Sequence, residues 1–169
     1  GKVAPITGFE IGYALPLGSA FLIDIGAAYY QGEAEMKFTN DSFGGSGPEE
    51  AAELPKGTVS FKLDDLRTIS IAPTLVLSDT SSLYVKLGLS EADTGVSGDV
   101  TTPANLSGTT WAIGTRTVLE SGIFIKTEAG YTDYNGISAH GGGTSIGSNN
   151  AYSADPTVAF GTVALGFRF

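Results

Sequence analysis

Apolar side chains recur at every second position along most of this chain, and the charged residues of the same stretches fall in the opposite phase. A repeat of two is the signature of an extended strand, whose successive side chains point to opposite faces of a sheet. The closing run shows it most plainly. Val163, Leu165, Phe167 and Phe169 share one face, while Ala164, Gly166 and Arg168 share the other.

Seven segments carry this alternation: 6–15, 20–38, 57–77, 82–93, 107–119, 122–134 and 157–169. Pro73 lies inside the third and cannot donate to a ladder, which predicts a bulge or a weak pairing there. A break near Asp64–Asp65 would raise the count to eight, but residues 57–63 are too short to form a spanning strand. The connections alternate in length. Short links fall at 16–19, 78–81 and 120–121, and long ones at roughly 39–56, 94–106 and 135–156.

No uninterrupted apolar run approaches the ~18 residues of a membrane helix, whereas strands of a transmembrane barrel need only alternate. Short turns at one end and long loops at the other are the layout of outer-membrane barrels. The expected fold is therefore all-β, a single domain over 1–169, built as an antiparallel up-and-down transmembrane β-barrel. Eight strands are expected and seven are readable, because bacterial barrels of one chain use even numbers. The first strand is expected in a segment upstream of Gly1 or from another chain, since residues 1–5 are too short to cross. No basic, apolar signal peptide opens the sequence, so an exported protein would be mature or trimmed.

The run Ser81-Ser82-Leu83-Tyr84-Val85-Lys86-Leu87-Gly88-Leu89 and the closing strand from Val163 to Phe169 resemble small outer-membrane barrels of the opacity-protein and OmpA-like superfamily. The resemblance implies an eight-stranded barrel in the outer membrane of a Gram-negative bacterium. It also implies that Val163, Leu165, Phe167 and Phe169 form a C-terminal signal read by the insertion machinery. Relatives serve as adhesins, invasins, immune-evasion proteins, phage receptors and wall anchors. With no further domain after Phe169, wall anchoring is not the expected role.

Six charged residues fall in mid-strand on the face opposite the Leu, Ile and Phe side chains: Glu10, Asp24, Lys86, Arg116, Lys126 and Glu128. A Lys or Arg turned to lipid there would cost roughly 2–4 kcal/mol, so these six are expected inside. Three acids and three bases can neutralise one another as a plug in a lumen just wide enough for side chains. A selectivity filter or proton relay is the other reading, and it would make the protein a small pore.

Catalysis is not expected. The single histidine, His140, has Ser138 and Asp133 near it in sequence but lies in a glycine-rich loop, and a triad needs held geometry. There is no cysteine, which removes thiolate metal sites, and no regular Asp-x-Asp-x-Asp loop, so no cofactor is expected. The net charge of −9 opposes nucleic-acid binding. Acids concentrate in and near the long connections, where bridging to lipopolysaccharide through divalent cations is conceivable. The expected partners are outer-membrane lipid, lipopolysaccharide, and a protein met at loops 39–56 and 135–156, the former flanked by a hairpin of residues 33–38 and 58–63. The expected role is non-enzymatic: structure, adhesion or surface recognition, or a subunit of an envelope assembly. A soluble lipocalin-like carrier is the remaining alternative, and it would require Phe9, Ile71 and Leu87 inside.

Overall fold

The computed structural model describes residues 3–39, 58–97, 105–140 and 151–168. The chain is all-β, with β1 (Thr7–Pro16), β2 (Phe21–Gln31), β3 (Ala34–Thr39), β4 (Thr58–Val76), β5 (Ser81–Ser97), β6 (Leu106–Val118), β7 (Ile123–Tyr134), β8 (Ile137–His140), β9 (Ala151–Ala154) and β10 (Thr157–Phe167). Seven strands form one antiparallel sheet in the order β1-β2-β4-β5-β6-β7-β10, with β3 paired to β4 off this path. Strands β8 and β9 make a separate ribbon on the connection between β7 and β10.

The sheet curls into a half-barrel. In a flat sheet β1 and β7, five strand spacings apart, would lie roughly 24 Å from each other. Instead Glu10 of β1 reaches Lys86 of β5 and Lys126 of β7, and Asp24 of β2 reaches Arg116 of β6. Curvature turns one face of every strand inward. The turns at the short end are tight: Leu17, Leu77 and Leu119 each donate their N–H to the strand four residues on, at Phe21, Ser81 and Ile123. Ser121 and Gly122 hold positive φ in the last of these turns.

The second segment of alternation is two strands, since β2 stops at Gln31 and β3 begins at Ala34. Gly32 sits in the gap because a side chain there would collide with the backbone of Pro5 and Ile6. Pro73 does not bulge. The β4–β5 ladder runs to Ile71↔Leu87 and resumes at Thr74↔Tyr84 in the same register, so the missing donor interrupts pairing without shifting it.

The bulge lies at Asp64–Arg67 instead, where Asp65 takes φ 47. Asp65 and Leu66 together oppose one partner position, and the extra residue reverses the phase of β4. Below it, Thr68, Ala72 and Thr74 face inward while Ile69 and Ile71 face out; above it, Phe61 and Leu63 face inward. Tyr29 Oη donates to Asp65 Oδ1 at 2.8 Å, and Arg67 pairs with Asp93 at 3.0 Å, so both flanks of the bulge are tied. Further from the short turns, a hydrogen bond to Glu33 at 2.7 Å holds the Lys62 ammonium above the usual lysine range.

Four inward glycines each sit directly opposite an aromatic residue: Gly8↔Tyr30, Tyr84↔Gly114, Gly108↔Tyr134 and Phe124↔Gly166. In each pair the ring or its hydroxyl occupies the space a glycine side chain would fill. A Gly114→Ala substitution meets the Tyr84 hydroxyl head-on and is expected to cost ~1–3 kcal/mol, the usual range for overpacking. Urea unfolding of the variant measures this, and an unchanged midpoint would show that the ring moves aside freely.

Candidate functional site

The inward face is a stack of layers. Nearest the short turns, Arg116 Nη2 pairs with Asp24 Oδ2 at 3.0 Å, Thr74 Oγ1 donates to the same carboxylate at 2.6 Å, and the guanidinium lies 5.6 Å over the Phe124 ring. The next layer holds four charges. Lys86 Nζ lies 2.7 Å from Glu128 Oε2 and 3.3 Å from Glu10 Oε2. Lys126 pairs with Glu10, sits 3.8 Å from Glu128, and rests 5.2 Å over the Tyr84 ring. Tyr84 Oη donates to Glu128 at 2.9 Å. Lys86, Glu128 and Lys126 are only 4%, 6% and 8% exposed, whereas Glu10, on the edge strand β1, keeps 29% of its side chain open.

A belt of hydroxyls follows. Thr68, Ser90, Thr110 and Thr132 are linked in series at 2.7, 2.6 and 2.7 Å across β4, β5, β6 and β7. Above it an apolar cap closes the stack: Phe61, Leu63, Ala92, Leu106 and Tyr134 are buried together, with Leu66 and Val158 packed on them. The phase reversal at the bulge supplies Phe61 and Leu63 to this cap.

All six charged residues read from the alternation thus meet on the concave face, as one pair and one four-membered cluster. Their formal charges sum to zero. With each carboxylate already bound by a cation, tyrosine or threonine, the cluster offers no free acid or base. Desolvation offsets much of the Coulomb gain in such a network, so its presence is weak evidence of stability.

The convex face is apolar and exposed. Val163, Leu165 and Phe167 on β10 are 78%, 77% and 61% exposed, and Phe9, Ile11, Ile69, Ile71, Leu89, Trp111 and Ile113 are also open. Phe169 lies outside the described residues. Phe9 and Tyr29 pack at 5.8 Å toward the long-connection end. Among the described residues, the outward hydroxyls of Thr115 and Thr127 in mid-sheet satisfy each other at 2.8 Å.

Of the loops expected to meet a partner, residues 40–57 and 141–150 lie outside the described residues. The expected hairpin between them and the sheet is present as β3 on β4, in register from Ala34↔Leu63 to Thr39↔Thr58. Ser138 and His140 belong to the ribbon β8–β9, not to a structureless loop, with His140 opposite Ala151. No group of three metal-ligating side chains occurs among the described residues.

Alternation alone did not point to the hydroxyl belt, the apolar cap or the glycine–aromatic pairs. The belt had a signal in the inward phase of Thr68, Ser90, Thr110 and Thr132; the other two need register. Comparison of the chain with descriptions of known protein families and with curated protein sequences finds no match to either.

Proposed function

We propose that this chain is an integral β-barrel of the Gram-negative outer membrane, similar in kind to the small opacity-protein and OmpA-like barrels. In this reading an eighth strand closes it, and its work is structural or recognitive, not enzymatic. The observation that carries the proposal is the inverted polarity. Large apolar side chains are exposed on the convex face, while Lys86, Lys126 and Glu128 are buried on the concave one. Water does not favour an apolar surface of this extent, and acyl chains do. The satisfied Thr115–Thr127 pair fits a lipid-facing position, where an unbonded hydroxyl is costly. Lipid and lipopolysaccharide would be its constant partners, with any protein partner met at the long connections.

Fractionation tests this reading. The protein is expected in the outer membrane, extractable only with detergent, and its folded form is expected to migrate differently from the heated form. Solubility without detergent would overturn it. The carrier alternative needs an apolar interior, but Phe9 and Ile71 are on the outside.

Plug is favoured over pore by the stack itself: charges that cancel, hydroxyls bonded in series, and an apolar cap over both. Planar bilayers containing the folded protein are expected to show no steady conductance. Discrete, ion-selective steps that vanish with Lys86→Met would establish the pore instead.

A further inference from the structure

Two rows of outward residues cross the convex face near its long-connection end, and the ladder registers align them. The upper row runs Tyr29↔Arg67↔Glu91↔Ser107, and the lower runs Ala27↔Ile69↔Leu89↔Thr109. Charge and hydroxyls mark the upper row, apolar side chains most of the lower, so the edge of the apolar band runs between them. Ala27, Ser107 and Thr109 are small, and over them the surface dips into an open groove of about 760 Å³, a size typical of small-molecule sites. The packed rings of Phe9 and Tyr29 wall one end, and Asn135, which donates to Ser107 at 2.9 Å, closes the other.

Arg67 and Glu91 stand directly opposite each other on β4 and β5, yet they do not pair with one another. Arg67 Nη2 turns to Asp93 at 3.0 Å, and among the described residues the exposed Glu91 carboxylate holds no ion pair. A guanidinium carries several N–H donors in a planar fork, so the contact through Nη2 leaves others for a second acceptor. Asp65, Glu91 and Asp93 outnumber Arg67 here, and that balance repels a headgroup of net negative charge. A zwitterion, with a cation for Glu91 and an anion for Arg67, meets no such penalty.

Resting on the barrel reading above, we infer that this groove seats a phospholipid whose headgroup is phosphoethanolamine. Its phosphate takes the open edge of Arg67, its ammonium donates to Glu91, and its first methylenes lie along Ile69 and Leu89. Facing residues of an antiparallel pair have Cα atoms ~4.5–5.5 Å apart. Two carbons separate phosphate from ammonium in the headgroup, so its charge pattern matches that of the wall. Glu91 sets the choice of lipid, because a carboxylate accepts hydrogen bonds from an ammonium and a trimethylated amine has none to donate.

The test uses the product of the natural gene, extracted in detergent and offered equimolar dioleoyl phosphatidylethanolamine, phosphatidylcholine and phosphatidylglycerol. Native mass spectrometry counts the adducts. Phosphatidylethanolamine is expected to be retained about fivefold more than either competitor, the effect of one exposed ion pair. Glu91→Gln is expected to level phosphatidylethanolamine with phosphatidylcholine, and Arg67→Gln to lower both. Glu120→Gln, which removes an exposed acid from a short turn, is expected to keep the parent's preference. Heat-dependent migration checks that each variant is folded. Equal retention of the three lipids by the parent, a preference for phosphatidylglycerol, or a preference that survives Glu91→Gln would overturn the site, as would dimers that displace the lipid. Any of these in a protein that needs detergent leaves the barrel reading standing, whereas recovery from the soluble fraction removes that reading itself.

Discussion

Replacing Lys86 with methionine is expected to destabilise the folded sheet by about 3–5 kcal/mol, the cost of removing one partner from a buried ion pair. Lys86 is 4% exposed and bridges Glu128 and Glu10, and among the described residues only Lys126 also lies near both, at the longer distance from Glu128. Lys126 remains on Glu10 but is 3.8 Å from Glu128, so the Glu128 carboxylate would keep only the Tyr84 hydroxyl close by. Adding Glu128→Gln should return much of the loss, because Glu10 and Lys126 then form a neutral pair. Urea titration checks both variants. A single variant within about 1 kcal/mol of the parent would mean that the cluster is solvated like an exposed pair.

Deleting Asp65 is expected to have an effect of comparable size by a different route. Without the extra residue, β4 keeps one phase along its whole length, and Phe61 and Leu63 turn from the cap to the outside. Unburying two large apolar side chains costs roughly 3–6 kcal/mol in total. Asp65→Gly is the control. It preserves the residue count and accommodates φ 47, at the loss of one hydrogen bond from Tyr29. Phe61→Trp emission distinguishes the two backgrounds: blue-shifted with Asp65→Gly, red-shifted with the deletion. Equal emission in both would show that the bulge does not set the phase.

The strands were legible because burial on a curled sheet imposes a strict repeat of two, and this sequence keeps it from Thr7 to Pro16 and from Ser81 to Ala92 with few exceptions. The six inward charges followed from the same repeat. What alternation cannot carry is a change of phase. Phe61 and Leu63 read as outward if the repeat is counted back from Ile69, and only backbone geometry at Asp65 shows that they turn in. The break at Gly32 and the ribbon β8–β9 were missed for a related reason: short pieces beside Gly, Ser and Asn carry too few repeats to stand out. Pro73 was a true local signal: of the bulge or weak pairing it implied, the structure shows the weak pairing, an interruption of the β4–β5 ladder at Ala72 and Pro73 with the register kept.

The glycine–aromatic pairs bear on how strands find their partners during assembly. A hairpin that slips by two residues still turns its greasy side chains outward, so polarity cannot detect the error. A misaligned ring can: slipped by two, Tyr84 faces Ala112 or Arg116 where it had an empty notch at Gly114. Four of the six junctions in the main sheet carry such a key, and the remaining two both involve β4, the strand with the bulge. Each of those four junctions is therefore keyed to one alignment, and the two that involve β4 are not.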